Sequence, residues 1–133
     1  MLHTIIAPIY IVLPRKTIKD KRIPLSLNWY RNAHYITSND VKKIYKEILK
    51  PQILKLPKLS VIEIWFHYYS KTKQRSDLGN WVSVSEKFTL DALVELGKLK
   101  DDSMRFVPRT HSTFCGTDPD KQGKMIITIK EIP

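Results

Sequence analysis

The sequence predicts an α+β domain: a single mixed β-sheet with two main helices packed on it. Three observations predict it. Residues 5–12, 59–69 and 125–132 are dense in β-branched and aromatic side chains and read as strands. Two intervening segments carry apolar residues at helical spacing. The segments follow one another as β, α, β, α, β, β, an order that leaves a sheet for the helices to cover. At 133 residues and 42% hydrophobic, the chain is one domain, 1–133, with a core of its own.

Residues 5–12, I-I-A-P-I-Y-I-V, form the first strand, and Pro8 puts it at an edge or a bulge. Residues 14–24, P-R-K-T-I-K-D-K-R-I-P, are a proline-bounded basic loop, either DNA-facing or a solvated connection. In 25–37, Trp29, Tyr30 and Tyr35 mix with Asn28, Arg31 and His34. Trp29 is expected to pack and Arg31 to bind. Ser38, Asn39 and Asp40 offer an N-cap for a helix whose Val41, Ile44, Tyr45 and Ile48 make one face. Lys42, Lys43, Lys46 and Lys50 fall on the other side, as a solvated face or a phosphate-tracking stripe, and Pro51 is expected to end or kink the helix.

Residues 59–69, L-S-V-I-E-I-W-F-H-Y-Y, are apolar on both faces and belong in the middle of the sheet. They feed a second basic loop, S-K-T-K-Q-R-S. Ser83 and Glu86 have capping-box spacing, and Phe88, Ala92, Leu93 and Leu96 line a second helix that Gly97 stops. Lys87, Asp91 and Glu95 recur every four residues as one polar stripe. A strand over 104–115, broken at Pro108, and a turn over 118–124 lead to the last strand, 125–132.

Charge narrows the function. Residues 1–75 hold 15 Lys/Arg against 4 Asp/Glu, whereas 76–133 hold 8 against 9. So basic a half attracts a polyanion, and phosphate backbones are the usual one. No apolar run reaches the roughly 18 residues of a membrane span, so no membrane partner is expected. The apolar N-terminus, punctuated by Pro8 and Pro14, reads as a strand rather than a signal peptide. A lone Cys115 permits no internal disulfide and fits a reducing compartment, the cytoplasm, or simply no reliance on cross-links. His3, His34, His67 and His111 have no zinc spacing, and no P-loop or nucleophile-elbow motif is present.

The carboxylates are fewer and sit at element ends. Asp77 follows the basic loop, and Asp101 and Asp102 follow the second helix. Such acids can hold a hard divalent ion for phosphodiester hydrolysis, or they can be turn and cap residues.

The stretch R-S-D-L-G-N, followed by E-K-F-T-L-D-A-L-V-E-L-G-K-L-K-D-D, resembles the RusA family of Holliday-junction resolvases. P-L-S-L-N-W-Y-R-N-A-H-Y, residues 24–35, is similar to that family's N-terminal segment, and the likeness runs from about residue 24 to 107. It implies a RusA-like fold and a homodimeric endodeoxyribonuclease, dependent on Mg²⁺ (or Mn²⁺), that nicks four-way DNA junctions in recombination and repair, often phage-encoded. By position it implies catalytic roles for Asp77, Lys87, Asp91, Asp101 and Asp102, with Asp77, Asp91 and Asp102 on the metal. Lys87 would stabilise the phosphate or orient water. Arg15, Lys16, Lys19, Lys21, Arg22, Arg31, Lys71, Lys73 and Arg75 would hold DNA. Two departures stand out. Gly79 occupies the place of the family's second Asp, and W-V-S-V-S-E lengthens the segment between Asn80 and Lys87. Glu86, in that longer segment, is either a replacement acid or a capping residue. Beside the nuclease stand two further readings: a junction-binding module without catalysis, and an RNA-binding domain whose acids are structural.

Overall fold

Pro8 decides how the N-terminal apolar run folds. Proline has no N–H to give a β-ladder, and the expected single strand divides there into β1 (Leu2–Ala7) and β2 (Tyr10–Leu13), which join different sheets. The computed structural model describes residues 1–14, 19, 21–73 and 76–133; Arg15, Lys16 and Arg75 lie outside them. β2 pairs antiparallel with β3 (Lys21–Pro24), so part of the expected basic loop is a strand.

The remaining elements are α1 (Leu27–Asn32), α2 (Tyr35–Leu54), β4 (Val61–Ser70), α3 (Leu78–Glu95), β5 (Arg109–Thr117) and β6 (Lys124–Ile132). The main sheet has the order β1-β6-β4-β5, with β4 and β5 parallel and the other pairs antiparallel. The sheet is mixed because α3 is the crossover that a parallel neighbour requires. β4 is central, as its sequence predicts, and β1 is an edge strand, as Pro8 predicts. Ile62, Ile64, Phe66 and Tyr68 of β4 are buried with Ile5, Met125, Ile127 and Ile129, alternate residues that share one face of the sheet. The other face carries Glu63, Trp65 and His67. Trp65 stacks on His111 at 4.9 Å, and His111 meets Glu63 at 2.6 Å.

Four boundaries differ from the sequence expectation. α2 begins at Tyr35, before Ser38, Asn39 and Asp40, because the ring Nδ1 of His34 accepts the Ile36 N–H and acts as the cap. It also runs through Pro51 to Leu54. So close to the helix end the proline removes one backbone bond, while buried Leu49 and Ile53 hold the last turn on the core. Its buried stripe is Val41, Tyr45, Leu49 and Ile53; Ile48 is exposed. α3 starts at Leu78, five residues before Ser83. Ser83 is therefore not a cap; its hydroxyl donates to the Gly79 carbonyl at 2.6 Å. Gly97 does stop α3: it takes φ +77°, while Gly97 N–H bonds Val94 O and Lys98 N–H bonds Leu93 O, a Schellman ending. β5 forms only after Pro108, from Arg109.

The helices are tied to each other through polar groups. The buried Tyr45 hydroxyl lies 2.7 Å from Thr89 Oγ1 and 3.4 Å from Ser85 Oγ. At the β5–β6 turn, Asp118 accepts the N–H groups of Asp120 (3.1 Å) and Gly123 (3.0 Å), and its own N–H bonds Ser70 O at the end of β4. Burial opposes the Asp118 charge, but the Asp120 amide, the Lys124 ammonium and the Gly123 and Gln122 amides prevail and lower its pKa.

Candidate nucleic-acid interface

The hairpin, the end of β4 and the start of α3 meet around Tyr10 and Trp81. In the β2–β3 register, Val12 faces Arg22 and Tyr10 faces Pro24, so Arg22 is the diagonal neighbour of Tyr10 on one hairpin face. The other face buries Ile11 and Ile23. The Arg22 guanidinium sits 4.3 Å from the Tyr10 ring centroid. From the far side of the sequence, Lys71 brings its ammonium to 5.5 Å from the same ring. Two cations from separate basic stretches thus converge on one aromatic platform.

That platform continues inward. Tyr10 contacts Trp81 at 5.8 Å, and Trp81 stacks on Tyr68 at 5.6 Å with the planes 15° apart. Trp81 donates its indole N–H to Ser76 Oγ at 3.1 Å, and Asn80 Nδ2 donates to the same oxygen at 3.3 Å. Asn80 Oδ1 in turn accepts the Asn28 N–H at 3.1 Å, which fixes the first turn of α1 against α3. Ser26 caps α1 by accepting the Trp29 N–H, and Trp29 packs half-buried against the core, as expected. Beside it Lys21, Asn28, Asn32, His34 and Thr37 line an open polar groove of about 370 Å³. Arg31, in the last turn of α1, and Lys19 and Lys73 are exposed.

The acids are distributed differently. Asp77 is the N-cap residue of α3, yet its carboxylate makes no capping hydrogen bond and is exposed. Asp101 and Asp102 lie beyond the other end of the helix. Between them and Asp77 runs the whole of α3, 18 residues or about 27 Å of helix at 1.5 Å per residue. Their loop is held at the opening end of β4, where Leu59 N–H bonds Lys98 O and Ile62 N–H bonds Phe106 O. Asp101 Oδ1 accepts the Asp102 N–H at 2.9 Å, a turn contact. Glu86 is half-buried on α3.

Asp91 is engaged by lysines. Lys42 of α2 reaches it at 2.8 Å and Lys87 at 3.7 Å, and Lys46 reaches Glu95 at 2.8 Å. Lys42 and Lys46, expected on a solvated or phosphate-tracking face, instead bridge α2 to the polar stripe of α3. Burial alone would lower the Lys42 pKa; its hydrogen bond to Asp91 and the charges of Asp91 and Glu95 outweigh burial and raise it. The Lys46 hydrogen bond, against opposing burial, lowers that of Glu95.

Among the described residues no three His, Cys, Asp or Glu side chains gather where they could hold a metal ion. A hard ion draws its carboxylates to about 2.1 Å; Asp77 stands at the start of α3, Asp91 on its length, and Asp102 in the loop after it. Sequence reasoning missed Tyr10 as the platform for Arg22 and Lys71, because the run containing it reads as one continuous strand. No helix among the described residues is long and apolar enough to cross a membrane. In comparison with known proteins, the chain matches no family model and no curated protein.

Proposed function

We propose that this protein binds branched DNA, the four-way junction of the RusA-type reading, through the face built on Tyr10, Arg22, Lys71 and the α1–α3 contact. The observation that carries it is the convergence of Arg22 and Lys71 on one aromatic ring beside the start of α3. Phosphates bind the cations, and aromatic and amide groups between them suit unpaired bases and sugar oxygens. A homodimer would present two such faces to a two-fold junction.

Anisotropy at fixed salt, with a labelled four-way junction, a duplex of equal length and an RNA of equal length, tests it. The junction should bind tightest. Arg22→Ala and Lys71→Ala should each weaken binding and reduce the salt slope by about one unit. Tighter binding to RNA would favour the RNA-binding reading, and absence of binding to any of the three would sink both.

The exposed, uncapped Asp77 carboxylate favours a second reading, metal-dependent cleavage, although the acids are scattered. Paired symmetric nicks with Mg²⁺ or Mn²⁺ that vanish in Asp102→Asn would make the protein a junction endonuclease. Binding without nicks under either metal leaves a junction-binding module.

A further inference from the structure

Between the end of β4, the start of α3 and β5 lies a pocket of about 150 Å³ lined by Tyr68, Ser70, Ser76, Leu78 and Phe114. Its size is half the roughly 300 Å³ at which sites for drug-sized ligands begin. A cavity of this size admits a single ring system; an engineered apolar cavity of about 150 Å³ takes benzene. The lining matches such a guest. Tyr68 forms a fixed wall, only 4% exposed and stacked from behind by Trp81. Phe114 forms the outer wall, 5.9 Å from Tyr68 and 56% exposed, a large apolar surface at the pocket mouth. Ser70 and Ser76 supply hydroxyls. The Ser76 oxygen already accepts from Trp81 and Asn80. Its hydroxyl hydrogen is therefore the part left to give, a donor suited to a ring nitrogen or carbonyl oxygen.

The surroundings indicate the class of ring. Ser70 and Ser76 bound the connection that carries Lys71 and Lys73, and Asp77 follows directly. An apolar pocket edged by two hydroxyls, next in the chain to Lys71 and Lys73, complements a nucleotide, whose base is planar and neutral and whose phosphate is anionic. A paired base cannot enter a pocket that admits only a single ring system, such as one purine or pyrimidine. An unpaired one enters at the smallest energetic penalty, and branch points and flaps provide such bases.

We propose that this pocket receives one unpaired nucleobase of the bound DNA, stacked on Phe114 and edged by the Ser70 and Ser76 hydroxyls. This rests on the DNA-binding reading, and the experiment separates the two. The full chain is titrated with forked DNA carrying 2-aminopurine at one position at a time along its unpaired arm and branch point. Anisotropy reports binding, and 2-aminopurine emission reports stacking. At one position the wild-type protein should quench the emission. Phe114→Ala should abolish that quenching and weaken binding roughly 5- to 150-fold, the range of one base–aromatic stack. Phe114→Tyr should keep both. Phe114 is exposed, so the fold survives either change. Tight binding with no quenching at any position, or equal affinity and quenching in Phe114→Ala, overturns the pocket assignment and leaves DNA binding standing; the slot would then suit an aromatic side chain of a protein partner. No binding of forked DNA overturns both.

Discussion

Replacing Asp91 with Asn distinguishes a structural tie from a catalytic ligand. In the structure Asp91 joins two helices: Lys42 of α2 contacts it at 2.8 Å, and Lys87 of its own helix at 3.7 Å. The Asp91 side chain is 18% exposed and that of Lys42 30%. An exposed ion pair is worth roughly 0.2–1 kcal/mol, and breaking a fully buried one costs roughly 3–5 kcal/mol. This pair lies between those limits, nearer the exposed one, because Glu95 remains 3.5 Å from Lys42 after the change. The expected loss for Asp91→Asn is about 1–2 kcal/mol, or a fall in Tm of roughly 4–8 °C. Urea denaturation of Asp91→Asn, Lys42→Met and the double variant isolates the pair, with a coupling of about 1 kcal/mol expected. A coupling indistinguishable from zero would refute the structural tie. If, in addition, Asp91→Asn left stability intact and abolished junction cleavage, the ligand role implied by the RusA resemblance would stand instead.

Three further outcomes follow from the same geometry. A Cβ at Gly79 would meet nothing within 4 Å. Gly79→Asp therefore replaces a poor helix residue and adds an acid in the first turn of α3, and chemical denaturation should show a gain of about 0.5–1 kcal/mol; if the absent acid also limits cutting, nicking rises with it. Tyr45→Phe should cost about 1–2 kcal/mol in the same assay, because it leaves the buried Thr89 hydroxyl without its 2.7 Å partner. Glu95 and Asp118 both have pKa values lowered from 4.5 and 3.8 by folding. Their stabilisation is present above the ordinary carboxylate range and is lost as pH falls through the lowered values, so Tm should decline below about pH 4.5, and less so in Asp118→Asn.

The central place of β4 and the Gly97 stop were legible in the sequence because each depends on local patterning. Pro8 marked an edge, but the division of one apolar run between two sheets depends on where β3 lies, which no window of sequence contains. The start of α3 was obscured for a similar reason. Gly79 and Asn80 look like turn residues, and Ser83 with Glu86 imitates a cap, yet the burial of Trp81, Val82 and Val84 extends the helix back to Leu78. This changes the meaning of W-V-S-V-S-E. Inside a helix those residues are rise and rotation, so Lys87 stands seven positions from Asn80, nearly two turns along the same face and about 10 Å away. Partners were less legible still: the polar stripe Lys87, Asp91, Glu95 showed its own spacing but gave no sign that Lys42 and Lys46 would meet it.

The separation of Asp77 from Asp102 bears most directly on the question of catalysis. Sites more than about 7–10 Å apart with no shared partner act additively within roughly 0.3–0.5 kcal/mol. These two flank opposite ends of α3, a helix about 27 Å long. Their neighbours differ too: Asp77 adjoins the Ser76–Trp81–Asn80 network, and Asp102 the turn that Asp101 closes. The effects of Asp77→Asn and Asp102→Asn on junction affinity, measured with Mg²⁺ at fixed salt, should therefore sum in the double variant. Each removes a negative charge from the neighbourhood of a polyanion, so each alone should leave affinity equal or modestly tighter. A shared ion would behave in the opposite way. Losing either ligand would release most of the ion's contribution, and the second substitution would then change little. Non-additivity above about 1 kcal/mol that appears only with the divalent ion would refute the single-chain separation as the functional arrangement and point to both acids on one metal.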